Sequence, residues 1–114
     1  METSFQNTYV LFFVMQLVQG GELRGLLNSQ LELQKKGLTE ETVRFYAVQI
    51  IDAVMNMHER GYVHRDLKLE NVLVDKNGYL VIIDFGVSKR LDSELCMETL
   101  VGTKGYMAPE LTSN

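Results

Sequence analysis

The chain has 114 residues, of which 46% are hydrophobic and 23% are charged. This balance is typical of one globular domain and excludes a disordered or collagen-like chain. The acidic residues number 15 and the basic ones 11, so the net charge is −4. Because a nucleic-acid binder needs a basic face to neutralise phosphates, we expect no nucleic-acid partner.

Cysteine content and hydropathy favour a cytoplasmic protein. Cys96 is the only cysteine, so no disulfide can form within the chain. The longest apolar run, from Tyr9 to Met15, is far too short to cross a bilayer. We therefore expect a cytoplasmic location and no membrane span.

The first two elements predicted along the chain are a strand and a short helix. Residues 9–15 form a β-branched and aromatic run, which is typical of a strand buried on both faces. Gly20 and Gly21 interrupt this pattern. A helix is predicted to follow from Glu22 to about Leu33.

The second predicted helix, from Thr39 to Arg60, has clear signals at both ends. Thr39 is suited to cap the first free N–H groups, and Gly61 follows as the expected left-handed cap. Apolar residues recur at the spacing of one helix face: Val43, Tyr46, Ala47, Ile50, Val54 and Met57. We expect this face to be buried.

Residues 72–83 show the pattern of a β-hairpin. Two apolar runs, 72–74 and 79–83, flank a segment that ends in Asn77-Gly78. Asn-Gly is a strong signal for a two-residue turn. The sequence therefore predicts a tight hairpin centred on these two residues.

A two-residue turn would bring two polar side chains together at the open end of this hairpin. It pairs Val72 with Ile83 and Asn71 with Asp84. Amide and carboxylate oxygens are hard ligands that suit Mg²⁺. The alternative is that Asn71 and Asp84 only cap the strand ends, as these residue types often do. The pattern alone leaves both interpretations open.

Three short motifs around the hairpin resemble those of eukaryotic protein kinases. Residues 64–71 read HRDLKLEN and are similar to the catalytic loop of that family. Residues 84–86 match its metal-binding Asp-Phe-Gly, and residues 108–110 match the Ala-Pro-Glu that ends its activation segment. Three motifs in this order make the resemblance specific.

The resemblance is of the serine/threonine type. Lys68 and the pair Gly102-Thr103 are similar to serine/threonine rather than tyrosine kinases. The closest resemblance is to the AGC group, particularly the cyclic-nucleotide-dependent kinases, although calcium/calmodulin-type kinases share much of it. The AGC similarity lies in residues 4–5, 18–22, 44–47 and 84–90.

The resemblance implies a partial α+β, protein-kinase-like fold over residues 1–114. Residues 1–18 would supply the last N-lobe strand and the hinge. Residues 19–114 would supply the first half of the helical C-lobe, with the catalytic loop and activation segment. The chain contains neither the family's Gly-x-Gly-x-x-Gly loop nor its phosphate-binding lysine strand. We therefore expect the isolated chain to be inactive.

The resemblance also implies roles for the residues of the three motifs. Asp66 would orient the hydroxyl of a Ser/Thr protein substrate and accept its proton, and Lys68 would steady the γ-phosphate of ATP. Asn71 and Asp84 would hold Mg²⁺. In another context Lys68 would be a solvated surface residue.

The nucleotide site implied by the resemblance lies around the hinge. Met15 falls at the gatekeeper position, and Gln16 and Val18 fall at the hinge. Glu22 is expected to line the nucleotide site, and Leu73 to form the apolar floor under the adenine ring. The alternative for Met15 is a core methionine at the end of a buried strand.

Further residues resemble regulatory and substrate-binding positions. Arg65 would bind a phosphate group that an activating kinase adds to Thr99. The alternative is that Thr99 is an unmodified hydroxyl in a loop. Glu22 and Glu70 match positions that contact basic residues of the protein substrate, upstream of the Ser or Thr that accepts the phosphate. The alternative is that both are solvated surface charges. Thr103 would support the catalytic residues at the substrate site.

Two functions remain open at the level of sequence. The chain is either the central part of an active serine/threonine kinase or a truncated, non-catalytic form. The second would act as an interaction module or be a gene remnant.

Overall fold

The computed structural model describes residues 2–91 and 100–112. In chain order the elements are β1 (Thr3–Gln6), β2 (Leu11–Val14), α1 (Leu23–Gln34), α2 (Glu40–Glu59), β3 (Tyr62–Val63), a 3₁₀ helix (Leu69–Asn71), β4 (Val72–Val74), β5 (Leu80–Ile82), β6 (Lys89–Arg90) and α3 (Pro109–Thr112). Within these residues the strands pair as three antiparallel two-stranded sheets, β1–β2, β3–β6 and β4–β5. Helices and small sheets together confirm the predicted α+β class.

The N-terminal apolar run forms one half of an exposed hairpin. β2 pairs with β1, and the rings of Phe5 and Phe12 stack with their centroids 4.8 Å apart. Every residue of both strands is exposed. The prediction of a strand over 9–15 buried on both faces was therefore wrong, because no described element covers this sheet.

Both predicted helices are confirmed, and local capping sets their ends. The Thr39 hydroxyl accepts a hydrogen bond from the N–H of Thr42 at 3.2 Å. Gly61 follows α2 with φ 75°, and Lys35 ends α1 in a left-handed conformation. No helix in the described ranges is long and apolar enough to span a bilayer.

The apolar face predicted for α2 is only half-buried. Val43 is 50% exposed, and α2 contains no fully buried residue. The other members of the face are half-buried: Tyr46, Ala47, Ile50, Val54 and Met57. The helix keeps the predicted periodicity, but the elements described here are too few to cover it.

The central hairpin forms with a register that differs by one residue from the prediction. Val72 lies opposite Ile82, and the N–H of Ile83 donates to the carbonyl of Asn71 at 2.9 Å. Asp84 therefore lies one residue beyond the partner of Asn71. The predicted direct pairing of Asn71 with Asp84 was wrong.

The cause of the shift is the length of the turn. The N–H of Asp75 donates to the carbonyl of Tyr79 at 2.7 Å, which leaves three residues in the loop. The Asp75 side chain accepts from the N–H groups of Asn77 and Tyr79 at 2.7 and 2.9 Å. Gly78 takes φ 85°, as the left-handed position of a three-residue hairpin loop requires.

The small core lies where α1 packs against the central hairpin. Its buried members are Leu23, Val72 and Val74. The chain before α1 runs against β4, since the N–H of Val74 donates to the carbonyl of Gly21 at 2.8 Å. A Cβ atom added to Gly20 would lie 2.3 Å from the carbonyl oxygen of Val74. Only glycine fits at this crossing.

A matched pair of glycine substitutions tests this packing. We expect Gly20→Ala to lower the free energy of unfolding of the full-length protein by about 1–3 kcal/mol, because backbone must move to admit the methyl group. Gly25→Ala, inside α1 with no atom within 4 Å of the added Cβ, should stabilise it by about 0.5–1 kcal/mol. Urea denaturation measures both. A Gly20→Ala protein as stable as the parent would contradict the packing.

Candidate active site

The site is built on the segment between β3 and the 3₁₀ helix, and a buried histidine holds that segment in place. The N–H of Asp66 donates to Nδ1 of His64 at 3.3 Å. The proton of the ring is therefore on Nε2, which lies 3.0 Å from the carbonyl oxygen of Ile83. His64, only 5% exposed, thus links the backbone of Asp66 to the end of the central hairpin.

The carboxylate of Asp66 is the centre of a polar cluster. The Lys68 ammonium lies 2.8 Å from Oδ2, and the Thr103 hydroxyl donates to Oδ1 at 2.7 Å. Lys68 also donates to the Thr103 oxygen at 2.9 Å, which closes a triangle of three side chains. Nδ2 of Asn71 donates to Oδ2 and to the carbonyl of Asp66 at 3.2 and 2.9 Å. The structure therefore brings four of the predicted site residues together.

These contacts set the charge of the site. The hydrogen bond from Lys68, followed by that from Thr103, lowers the pKa of Asp66 from 3.8 to about 2, while burial acts in the opposite direction. The same contact with Asp66 raises the pKa of Lys68. Both groups are therefore charged at neutral pH, as a tightly held ion pair.

The two predicted metal ligands lie beside this cluster. Asn71 is 6% exposed, and its Nδ2 is used by Asp66, which leaves the amide oxygen to meet a cation. Asp84 is exposed, and its charge is one of the causes that raise the pKa of Lys68. An amide oxygen and a carboxylate fit Mg²⁺ that completes its shell with phosphate and water. The described residues contain no group of three His, Cys, Asp or Glu side chains suited to a metal.

Four of the five predicted nucleotide residues lie on the segment that leads from β2 to α1, and the fifth, Leu73, lies in β4. Met15 and Gln16 are exposed, and Val18 is half-buried. Glu22 forms a β-bridge with Leu73 of β4. The structure thus brings Glu22 and Leu73 together and leaves Met15 and Gln16 on an exposed stretch.

The guanidinium of Arg65 has one hydrogen-bonded nitrogen and one buried nitrogen that makes no hydrogen bond to the described residues. It lies at φ 68°, and its Nε donates to the carbonyl of Val87 at 2.6 Å. Its Nη1 is buried without a partner among the described residues. Thr99, the predicted phosphate acceptor, lies outside the described residues, so the pairing with Arg65 stays a prediction.

Glu70 has a partner that sequence reasoning missed. Nε of Arg24 donates to its Oε1 at 3.0 Å, and Nη2 of Arg24 donates to the Tyr106 hydroxyl at 2.6 Å. Arg24 and Tyr106 are 82 positions apart, so no local pattern indicates this contact. His64 was also missed as a positioning residue, although its place directly before Arg65 was the available signal.

The pKa of Asp66 provides a test of the cluster. Because its pKa is lower in the folded state, ionised Asp66 stabilises the fold above about pH 4, and this contribution is lost as the pH falls towards 2. Thr103→Val removes one hydrogen bond and should raise the pKa of Asp66. Carboxylate NMR titration of the full-length protein measures it. Thr112→Val, which removes only a bond to the Pro109 carbonyl, is the control and should leave it unchanged. An unchanged pKa in Thr103→Val would contradict the geometry.

Comparisons with known proteins agree with this geometry. A family model described as the protein kinase domain matches residues 1–114. The chain is 42% identical over 110 residues to the cAMP-dependent protein kinase catalytic subunit of Schizosaccharomyces pombe, which covers 96% of the chain and 20% of that protein. It is 42% identical over 109 residues to the RAC serine/threonine-protein kinase of Drosophila melanogaster, covering 95% and 17%.

A plant relative gives the same result. The Arabidopsis thaliana serine/threonine-protein kinase AtPK1/AtPK6 is 38% identical over 109 residues, which are 95% of this chain and 22% of that protein. The chain therefore spans about a fifth of the length of each of these three relatives. The resemblance to serine/threonine kinases of the AGC group is confirmed, and the chain belongs to the protein kinase domain family.

Proposed function

We propose that the full-length protein is a serine/threonine protein kinase that transfers the γ-phosphate of ATP to Ser and Thr hydroxyls of protein substrates. The observation that carries this proposal is the closed cluster of Asp66, Lys68 and Thr103. Membership of the protein kinase domain family supports it. Kinases of this family generally use ATP with a divalent metal ion.

Asp66 is proposed to orient the acceptor hydroxyl. With a pKa of about 2 it is ionised throughout the physiological range, so it accepts a hydrogen bond from the hydroxyl. The same low pKa makes it a weak base before the reaction begins. Its contribution is therefore mainly orientation, and it receives the proton only as charge develops on the attacking oxygen.

Lys68 is proposed to contact the transferred phosphate. An ammonium group has three N–H donors. Two point to Asp66 Oδ2 and Thr103 Oγ1, which leaves the third for a γ-phosphate oxygen. Because the pKa of Lys68 is raised, its positive charge is retained while negative charge moves. Thr103 fixes the relative positions of these two side chains, because its hydroxyl accepts a hydrogen bond from Lys68 and donates one to Asp66.

Asn71 and Asp84 are proposed to hold Mg²⁺, which when bound neutralises phosphate charge. The proposed adenine site lies between Leu73 and the segment of Met15, Gln16 and Val18. The β-bridge between Glu22 and Leu73 supports a place for Glu22 at the same site.

The proposed substrate preference is based on charge, and the proposed compartment on cysteine content. Glu22 and Glu70 are proposed to contact basic residues upstream of the acceptor, since both carboxylates lie near the ends of the catalytic loop and hinge segment. The proposed compartment is the cytoplasm, where a lone cysteine such as Cys96 stays reduced.

Regulation is proposed to act through Arg65. Its Nη1, which is buried and has no partner within residues 2–91 and 100–112, supports a phosphate partner, and the proposed source is Thr99, phosphorylated by an activating kinase.

Asp66→Asn in the full-length protein tests the proposed reaction. We expect kcat to fall by about 10²- to 10⁴-fold, because an amide neither accepts the proton nor keeps the ion pair with Lys68. Asp52→Asn, an identical change at an exposed position of α2, should leave kcat unchanged. Transfer of labelled phosphate from ATP to a Ser-containing peptide measures both. Near-normal turnover of Asp66→Asn would refute the role of Asp66, whereas no transfer by the parent protein would favour the non-catalytic alternative.

Thr99→Ala tests the proposed regulation. We expect roughly a tenfold or greater loss of peptide phosphorylation, because one or more charge-assisted hydrogen bonds to Arg65 are lost. Mass spectrometry of the parent protein should find phosphate on Thr99. Thr112→Ala serves as the control. Full activity of Thr99→Ala would show that this hydroxyl has no regulatory role.

A further inference from the structure

Arg24 connects three parts of the molecule that lie far apart in sequence. It is in the first turn of α1, whereas Glu70 lies in the 3₁₀ helix and Tyr106 follows Thr103. Nε of Arg24 donates to Glu70 Oε1 at 3.0 Å, and Nη2 donates to the Tyr106 hydroxyl at 2.6 Å. The guanidinium therefore lies between the two segments that carry Asp66 and Thr103.

The ion pair with Glu70 is incomplete. Arg24 contacts only one carboxylate oxygen, and the other, Oε2, is buried without a partner among the described residues. The side chains of Arg24 and Glu70 are 36% and 40% exposed, so the pair borders solvent. A guanidinium that binds a carboxylate in full uses two parallel hydrogen bonds to both oxygens. Because Arg24 holds Glu70 through Oε1 alone and the pair borders solvent, another cation can exchange with Arg24 at this oxygen.

We propose that Arg24 is a specificity-determining residue, which competes with a basic side chain of the protein substrate for Glu70. The inference rests on the proposed function, because it concerns how the substrate is selected. With Arg24 in place, the negative charge of Glu70 is partly neutralised. Glu70 then favours substrates with a cationic residue only weakly over neutral ones. Without Arg24, Oε1 of Glu70 loses this partner and is available to a substrate arginine.

Peptide binding to the full-length protein tests this competition. The probes are fluorescent Ser-containing peptides that are neutral except for one arginine placed at successive upstream positions, together with the neutral parent. For each arginine peptide we compare its affinity with that of the neutral peptide. We expect Arg24→Ala to raise this affinity ratio by about twofold to fivefold for one position of the arginine, the size expected for an exposed ion pair. Fluorescence anisotropy measures each Kd.

Arg44→Ala is the matched control. It removes the same charge from an exposed ion pair with Glu40 on α2 and should leave the affinity ratio unchanged. Arg24→Gln, which keeps much of the side-chain length, serves as the second variant if Arg24→Ala does not fold. A double variant, Arg24→Ala with Glu70→Gln, should lose the gain, because the competing carboxylate is gone.

Three results would overturn the inference: an unchanged affinity ratio in Arg24→Ala, an equal rise in Arg44→Ala, or a gain that persists in the double variant. Phosphate transfer to the same peptides is measured separately. A failure of transfer counts against the proposed kinase function, whereas the binding ratios decide the role of Arg24 alone.

Discussion

The triangle of Asp66, Lys68 and Thr103 is the interaction on which the rest of the candidate site depends. Thr103 lies 37 positions after Asp66, and its hydroxyl joins their two segments directly. The same contacts keep Asp66 ionised and Lys68 protonated. Loss of Asp66 or Lys68 would change the charge of the site, and loss of Thr103 would remove the hydrogen bonds that its hydroxyl makes to both.

The backbone next to the triangle adopts unusual conformations at three residues, Arg65, Asp84 and Gly102. Arg65 and Asp84 take φ values of 68° and 62°, which non-glycine residues rarely adopt. Gly102 lies at φ 122°, and a Cβ atom there would be 2.8 Å from the carbonyl oxygen of Arg65. Strain of this kind persists only where surrounding contacts hold it, and it is concentrated at functional sites. The contacts of His64 with Asp66 and Ile83 provide such support.

The sequence predicted best those features that depend on local chemistry. The ends of α2 follow from Thr39 and Gly61, whose capping roles are independent of the rest of the chain. The Asn77-Gly78 pair located the hairpin correctly but not its register. The Asp75 side chain captures two backbone N–H groups and lengthens the turn to three residues. The preference of Asn-Gly for two-residue turns takes no account of these hydrogen bonds from Asp75.

Contacts between residues far apart in sequence could be predicted only where the family resemblance indicated them. The resemblance to protein kinases implied roles for Asp66, Lys68, Asn71 and Thr103, and the structure brings these four together. The contact of Arg24 with Glu70 joins residues 46 positions apart, and only the fold reveals it. Burial was overestimated for residues 9–15 and for α2, because periodicity shows which face is apolar and not whether anything covers it.

The most direct test of the account is phosphate transfer by the full-length protein. Labelled ATP and Mg²⁺ are supplied with four peptides that differ only in a central Ser, Thr, Tyr or Ala. We expect label on the Ser and Thr peptides, none on the Ala peptide and little on the Tyr peptide. Label on the Tyr peptide alone, or on none of the four, would contradict it.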